Sequence, residues 1–143
     1  MEIKYTTDLN STIYQDALKI RYEVFVNEQK VPPELEIDEE ANCLHFVLYN
    51  QNEALATCRL YKKTTEIVKL QRMAVLKSAR GSQLGRKLML ATEAKAVELG
   101  YQKIILGAQN TAIGFYQTLG YQIDGPEFLD AGIPHHLMEK VLN

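Results

Sequence analysis

The chain has 143 residues, of which 46% are hydrophobic and 24% are charged, and its formal net charge is −2. This size and balance predict one domain spanning residues 1–143, with a core that needs no covalent staple. The negative charge argues against a nucleic-acid-binding protein, because such proteins carry a basic excess.

Cysteine content and hydropathy indicate a compartment. Cys43 and Cys58 have neither metal-ligand spacing nor a disulfide framework, so we expect both to fill core space in a reducing environment. The N-terminal residues lack the pattern of a signal peptide, and no apolar run approaches the roughly 20 residues that span a bilayer. The sequence therefore predicts a cytoplasmic protein without a metal site.

The first part of the chain predicts a strand, a helix and an acidic loop. Residues 2–6 are typical of a short strand, and residues 13–30 of an amphipathic helix that ends before Pro32 and Pro33. The apolar face of this helix consists of Ile13, Ala17, Ile20 and Val24. Residues 34–40 contain five acidic residues in seven and indicate an exposed loop. This loop is either a solvated charge run or an acidic wall that attracts a cationic amine.

The middle of the chain predicts a mixed sheet. Strands at residues 44–49, 55–61 and 67–75 are joined by short turns, which favour an antiparallel meander. A helix over residues 82–99 ends at Gly100 and leads directly into a buried strand at residues 103–106. A strand–helix–strand crossover makes its two strands parallel.

The C-terminal part adds a short helix over residues 111–119 and strands at residues 121–124 and 136–142. The predicted fold class is therefore α/β (α+β), with a mixed central sheet.

The turn between the third strand of the meander and the long helix is the strongest candidate site. Arg80, Gly81 and Gly85 lie in it, and the first amides of a helix have no partner within the helix. These amides and the helix dipole suit a phosphate or pyrophosphate. Gly81 and Gly85 are too close together for a Walker loop, and the dinucleotide fingerprint Gly-x-Gly-x-x-Gly is absent. The two common nucleotide motifs are thus excluded.

Several segments resemble the GNAT superfamily of N-acetyltransferases. Arg80-Gly-Ser-Gln-Leu-Gly85 is similar to its Arg/Gln-x-x-Gly-x-Gly/Ala loop, and Ala112-Ile-Gly-Phe-Tyr-Gln-Thr-Leu-Gly-Tyr121 to its Ala-x-x-Phe-Tyr-x-x-x-Gly-Phe/Tyr segment. The segments 24–32, 36–38 and 131–135 resemble a small bacterial subgroup called ElaA-like. Together these matches cover nearly the whole chain.

The resemblance implies a GNAT-like sheet with helices on both faces. It also implies acetyl-coenzyme A (acetyl-CoA) as cosubstrate and direct transfer of its acetyl group to a primary amine of a small molecule. The implied pyrophosphate ligands are Arg80, Gly81, Ser82, Gln83, Leu84, Gly85 and Arg86. The implied neighbours of the rest of the coenzyme are Met73, Ala74, Val75, Gln109, Asn110 and Phe115. Tyr116 occupies the general-acid position, where it would protonate the departing thiolate.

Two positions depart from the family pattern. Gln83 stands where the family has the middle glycine of the loop, and Gln109 stands where it usually has asparagine. Both departures bear on coenzyme affinity. A glutamine at position 83 is tolerable if that residue already lies in the first helical turn, and Asn110 is a candidate replacement for the missing asparagine.

The proton acceptor and the amine are open at this stage. Candidate general bases are Glu28, Asp38, His45, His135 or a water molecule. Arg59 and Arg72 either bind an acidic group of the acceptor or are ordinary charges on an exposed sheet face. The alternatives to a small-molecule enzyme are a non-catalytic acyl-CoA sensor and an acetyltransferase of protein lysines or N-termini. A homodimer is possible from family habit.

Overall fold

The computed structural model describes residues 1–142, which form an eight-stranded mixed sheet. The strands are β1 (Glu2–Thr6), β2 (Cys43–Asn50), β3 (Glu53–Lys62), β4 (Ile67–Val75), β5 (Lys103–Gln109), β6 (Gln122–Ile123), β7 (Phe128–Asp130) and β8 (Ile133–Val141). Their order is β1-β2-β3-β4-β5-β8-β6, and β7 pairs with β8. The β4–β5 pair is parallel and the other pairs are antiparallel, which confirms the predicted meander and crossover.

The helices are α1 (Thr12–Arg21), α2 (Pro33–Glu36), α3 (Leu84–Glu98) and α4 (Ile113–Thr118). A π-helical segment, Tyr22–Glu28, continues α1, and short 3₁₀ turns lie at Glu40–Asn42, Lys77–Ala79 and Asn110–Ala112. Among residues 1–142, no helix is both long and apolar enough to cross a membrane.

The two long helices cover opposite faces of the sheet, as predicted. The Ser11 side chain accepts a hydrogen bond from the amide of Ile13 and so caps α1. The apolar side of α1 and its continuation, with Ala17, Ile20 and Val24, packs on Val47 and Ala74. The buried side of α3 belongs to the larger core on the other face, formed with side chains of β2–β5. Gly100 ends α3 with φ +92°, the left-handed conformation expected there.

The acidic segment 34–40 was predicted to be an exposed loop, and this is confirmed for five of its residues but wrong for Glu36 and Glu40. Glu36 and Glu40 are 2% and 8% exposed, and Arg21 binds both carboxylates. Of the two alternatives for Arg59, the exposed sheet-face charge was wrong, since Arg59 is 2% exposed and its Nη1 lies 2.7 Å from Oε2 of Glu40. These partners are 15 to 19 residues apart in the chain, so a local charge pattern does not reveal them.

Strand β4 separates from β5 half-way along its length. The parallel register runs only from Ile67↔Lys103 to Leu70↔Leu106, although β4 continues to Val75 and β5 to Gln109. The register of β4 with β3 also shifts here, and Arg72 adopts φ +57°. Such a bulge bends a strand and redirects its side chains. The two strand ends diverge and leave a gap that the site occupies.

Candidate active site

A cleft of about 780 Å³ begins between the separated ends of β4 and β5. The predicted coenzyme residues that line it are Met73, Ala74, Val75, Arg80, Gly81, Gln83, Leu84, Gly85, Arg86, Gln109 and Phe115, together with the predicted acid Tyr116. Ser82 and Asn110 are the two predicted site residues that do not line it. The structure therefore brings together most of a site predicted from segments far apart in the chain.

The loop between β4 and α3 presents unused hydrogen-bond donors. The backbone amides of residues 81–86 donate to no acceptor among residues 1–142, whereas the amides of Arg80 and Lys87 on either side are bonded. Because α3 is 15 residues long, its dipole adds partial positive charge at this end. The exposed Arg86 and Lys87 side chains in its first turn add full charges. The loop fits a diphosphate group.

Gln83 is the strained residue of this loop. It precedes α3 as the N-cap with φ +68° and ψ +15°, so it does not lie within the first helical turn. Glycine adopts this left-handed conformation without steric cost, which fits the middle glycine of the loop that residues 80–85 resemble. A side chain with a Cβ costs roughly 1–2 kcal/mol there.

Arg80 is held by an acidic partner from the other side of the cleft. Its Nη1 and Nη2 donate to the Glu28 carboxylate at 2.7 and 2.8 Å, and its Nε donates to the carbonyl of Val75. The hydrogen bond from Arg80 lowers the pKa of the Glu28 carboxyl. Glu28 thus clamps the loop and is a weakened proton acceptor.

Gln109 and Asn110 have different surroundings. The Gln109 side chain donates to Gln29 Oε1 at 2.8 Å and so joins the end of β5 to the segment after α1. Asn110 donates to Glu127 and pairs with His136 outside the cleft, so the structure does not place it as a substitute for the family asparagine. The Ser82 side chain is exposed, and its hydroxyl donates to the carbonyl of Ala79 at 2.7 Å.

Tyr116 lies on α4 and closes one end of the cleft. Its ring is 6% exposed and contacts Phe115 and Tyr121 edge-on, with ring centroids 5.1 and 5.8 Å away. Its hydroxyl makes no hydrogen bond with any residue of 1–142. Burial raises its pKa well above the ordinary value of a tyrosine. The group therefore stays protonated at neutral pH.

The candidate bases divide into two pairs. Glu28 and His135 line the cleft, whereas Asp38 and His45 do not. His45 is 1% exposed, its Nε2 lies 3.0 Å from the carbonyl of Glu40, and burial lowers its pKa. It is a structural residue of the acidic segment.

His135 has a free ring nitrogen. It faces Gln109 across the β5–β8 ladder and stacks on Phe128 of β7, a strand that the sequence did not predict. Its Nδ1 lies 2.6 Å from the carbonyl of Ile133, which requires a proton on Nδ1. In the neutral imidazole the acceptor is then Nε2, which has no hydrogen-bond partner among residues 1–142.

Sequence reasoning missed the residues that shape the rest of the cleft. They lie on α2, on the first half of β4 and on the β7–β8 hairpin, and include Leu35, Lys69, Gln71, Phe128 and Asp130. They come from three separate segments that no motif links.

This loop, cleft and sheet define an acetyltransferase of the GNAT type. The family model described as an acetyltransferase (GNAT) domain matches residues 9–142, and the chain belongs to this family. It is an acyltransferase that depends on acetyl-CoA.

The chain is similar to relatives over almost its full length. An uncharacterised N-acetyltransferase of Bacillus subtilis, YjcF, is 42% identical over 133 residues, which are 92% of this chain and 94% of that protein. The crystal structure of Escherichia coli ElaA superposes with a TM-score of 0.85 and 25% identity, over 98% of this chain and 99% of ElaA. An acyl-CoA N-acyltransferase from Pseudomonas aeruginosa has the same TM-score at 27% identity, with coverage of 98% and 99%.

Proposed function

We propose that the protein transfers the acetyl group of acetyl-CoA directly to a primary amine of a small molecule. One observation carries this proposal: the loop at residues 81–86, whose six backbone amides have no acceptor among residues 1–142, lines the same cleft as Tyr116 through every residue except Ser82. The amides would hold the pyrophosphate, and the unpaired end of β4 at residues 73–75 would run beside the pantetheine. The bound cosubstrate supplies a thioester carbonyl, and a free β4 amide beside it would stabilise developing negative charge.

Tyr116 acts as the general acid in this proposal. When the amine nitrogen has bonded to the acetyl carbon and the carbon–sulfur bond breaks, the thiolate takes the proton of the Tyr116 hydroxyl. The nitrogen then releases its extra proton, which restores the tyrosine and leaves the neutral amide. The high pKa of the buried phenol keeps that proton available. The hydroxyl is also not committed to another acceptor within residues 1–142.

His135 accepts the proton that the ammonium form of the acceptor must lose before attack. Its free Nε2 and its place in the cleft favour it over Glu28, whose two oxygens are occupied by Arg80. Asp38 and His45 lie outside the cleft, so neither reaches the amine directly.

A small-molecule acceptor is favoured over a lysine-rich protein. The protein alternative depends on an acidic surface at residues 34–40, and two of its five carboxylates, Glu36 and Glu40, are buried against arginines.

The test is amine-dependent release of coenzyme A from acetyl-CoA, measured with a thiol reagent. We expect His135→Gln to lower kcat/KM for the amine by about 10²-fold or more, while the dissociation constant of acetyl-CoA stays within twofold. His136→Gln is the matched control, because His136 is the next residue and lies outside the cleft. Wild-type turnover in His135→Gln would show that His135 is not the base. If no amine causes release of coenzyme A, the proposed transferase activity would be contradicted.

A further inference from the structure

One part of the cleft lies beyond the residues assigned to the coenzyme and contains both cationic and acidic side chains. It is lined by Lys69, Gln71 and Arg72 on β4, by Glu36 on α2 and by Asp130 on β7. These residues belong to the middle of β4, before and at its bulge, and to α2 and β7.

The buried cluster behind this wall contains more cations than carboxylates. Three guanidinium groups, those of Arg21, Arg59 and Arg72, surround only two carboxylates, those of Glu36 and Glu40. Arg21 donates to Glu36 at 2.6 Å and to Glu40 at 2.7 Å, and Arg59 donates to Glu40 at 2.7 Å. Both carboxylates are therefore already engaged in short hydrogen bonds with Arg21 and Arg59.

Arg72 is left with weak contacts. Its Nε is buried without a hydrogen-bond partner in residues 1–142, and lies 3.5 Å from Oε2 of Glu36. Its Nη2 reaches only the carbonyls of Leu35 and Glu36, at 3.3 and 3.5 Å. Burial lowers its pKa, as expected for a cation with too little compensation. A buried unpaired donor costs about 1–3 kcal/mol, so a partner for it would be bound favourably.

Lys69 adds a second cation on the same wall. It lines the cleft, is half-buried and forms no salt bridge or hydrogen bond with any residue of 1–142. Asp130 is the carboxylate whose charge acts on both Lys69 and Arg72. With these two residues included, four cations face three carboxylates, and one positive charge remains uncompensated.

We propose that the acceptor amine also carries an anionic group, a carboxylate or a phosphate, which Lys69 and Arg72 bind. A guanidinium fork beside an ammonium group matches the oxygens of either anion. The inference rests on the proposed transferase function and narrows its substrate to a zwitterion of the amino acid type or an amino phosphate. The anion neutralises the excess charge and directs the amine towards His135.

The experiment compares amines that differ only in the anion. γ-Aminobutyrate is paired with butylamine, and O-phosphoethanolamine with ethanolamine, as acceptors for the wild type. We expect at least one anionic member to have a kcat/KM at least tenfold above that of its neutral partner, and the pair that shows the larger ratio identifies carboxylate or phosphate. Equal or better use of both neutral amines would overturn the inference.

Two variants assign the preference to residues. Lys69→Gln and Arg72→Gln should each raise KM for the preferred anionic amine by about tenfold and leave kcat and the neutral amine within about twofold. Lys62→Gln is the control, since this exposed lysine of β3 carries the same charge outside the cleft. Retention of the preference in both variants would also overturn the assignment.

Calorimetric titration of the coenzyme-A-loaded protein with the same amines separates this inference from the enzyme assignment. The anion site is supported if the anionic amine binds more tightly than its neutral partner and Lys69→Gln abolishes this difference, even when no acetyl group is transferred. A lack of acetyl transfer would then count only against the proposed transferase activity. Turnover or binding without any anion preference would leave the transferase intact and contradict the anion site.

Discussion

At the residue scale, two neighbouring tyrosines show how position separates a chemical role from a structural one. Burial raises the pKa of both Tyr116 and Tyr121. The Tyr121 hydroxyl donates to Oε2 of Glu93 at 2.8 Å, and Lys140 binds the other oxygen of that carboxylate. The Tyr116 hydroxyl has no such partner within residues 1–142 and belongs to the cleft. Only Tyr116 has a proton free to give.

Removal of the Tyr116 hydroxyl should therefore affect catalysis, whereas removal of the Tyr121 hydroxyl should affect stability. We expect Tyr116→Phe to lower kcat by 10²- to 10⁴-fold, with little change in the dissociation constant of acetyl-CoA or in thermal stability. Tyr121→Phe should instead lower the free energy of unfolding by about 1–3 kcal/mol, because Glu93 loses a buried partner, and leave kcat near the wild-type value. Steady-state kinetics and thermal denaturation of the pair measure both effects. Undiminished turnover in Tyr116→Phe would exclude it as the acid.

At the element scale, the left-handed conformation of Gln83 in the β4–α3 loop costs conformational energy, and one substitution should remove this cost. Gln83→Gly removes the penalty of roughly 1–2 kcal/mol for a non-glycine residue in the left-handed conformation. Against this, glycine makes the unfolded chain more flexible, which lowers the free energy of unfolding by about 0.5–1 kcal/mol. We expect a net gain of about 0.5 kcal/mol in unfolding free energy, measured by urea denaturation, and no loss of acetyl-CoA affinity. Gln83→Ala keeps the Cβ and should show no gain. A Gly variant less stable than the Ala variant would contradict the strain.

The segment after α1 is fixed to the sheet through Glu40. Burial by itself would raise the pKa of this carboxyl, but hydrogen bonds from Arg21 and the Asp38 amide, with the charges of Arg21 and Arg59, lower it to about 2. The ordinary value is 4.5, so the stabilisation is complete above that pH and is lost as pH falls towards 2. The difference corresponds to about 3 kcal/mol of unfolding free energy.

We therefore expect the wild type to lose about 3 kcal/mol between pH 5 and pH 2 through this one group. Glu40→Gln leaves the buried Arg59 without its carboxylate and Arg21 with that of Glu36 alone, and should cost about 3–5 kcal/mol at pH 7 while flattening the acid dependence. Denaturant titrations at several pH values test this, with Glu34→Gln as an exposed control from the same segment. An unchanged pH dependence in Glu40→Gln would show that the cluster does not hold the segment.

The elements themselves were largely predictable from the sequence, because short-range patterns determine them. Strands β1 and β4 have the predicted bounds, and α3 ends at Glu98, just before the left-handed Gly100 that the sequence indicates as its stop. The loop at residues 80–85 and Tyr116 were found because their spacing is a local motif. Partners such as Gln29 and Gln109, 80 residues apart, have no local signal. The bulge at Arg72 and the burial of Arg59 likewise depend on contacts between distant segments.

At the scale of the whole molecule, the separation of β4 from β5 brings the parts of the site together. The gap leaves one end of β4 unpaired with β5, and the start of α3, Tyr116 of α4 and His135 of β8 line the cleft that begins there. We infer that this gap holds acetyl-CoA and the reacting amine together. The excess positive charge opposite the loop then selects among amines.

Thermal denaturation with acetyl-CoA, ATP and NAD, each supplied separately, tests this claim most directly. Acetyl-CoA at 100 times its dissociation constant should raise the free energy of unfolding by about 2.7 kcal/mol. ATP and NAD should have little effect at the same concentration, because they lack a group that extends along residues 73–75 to Tyr116. Stabilisation by ATP or NAD without stabilisation by acetyl-CoA would contradict the account.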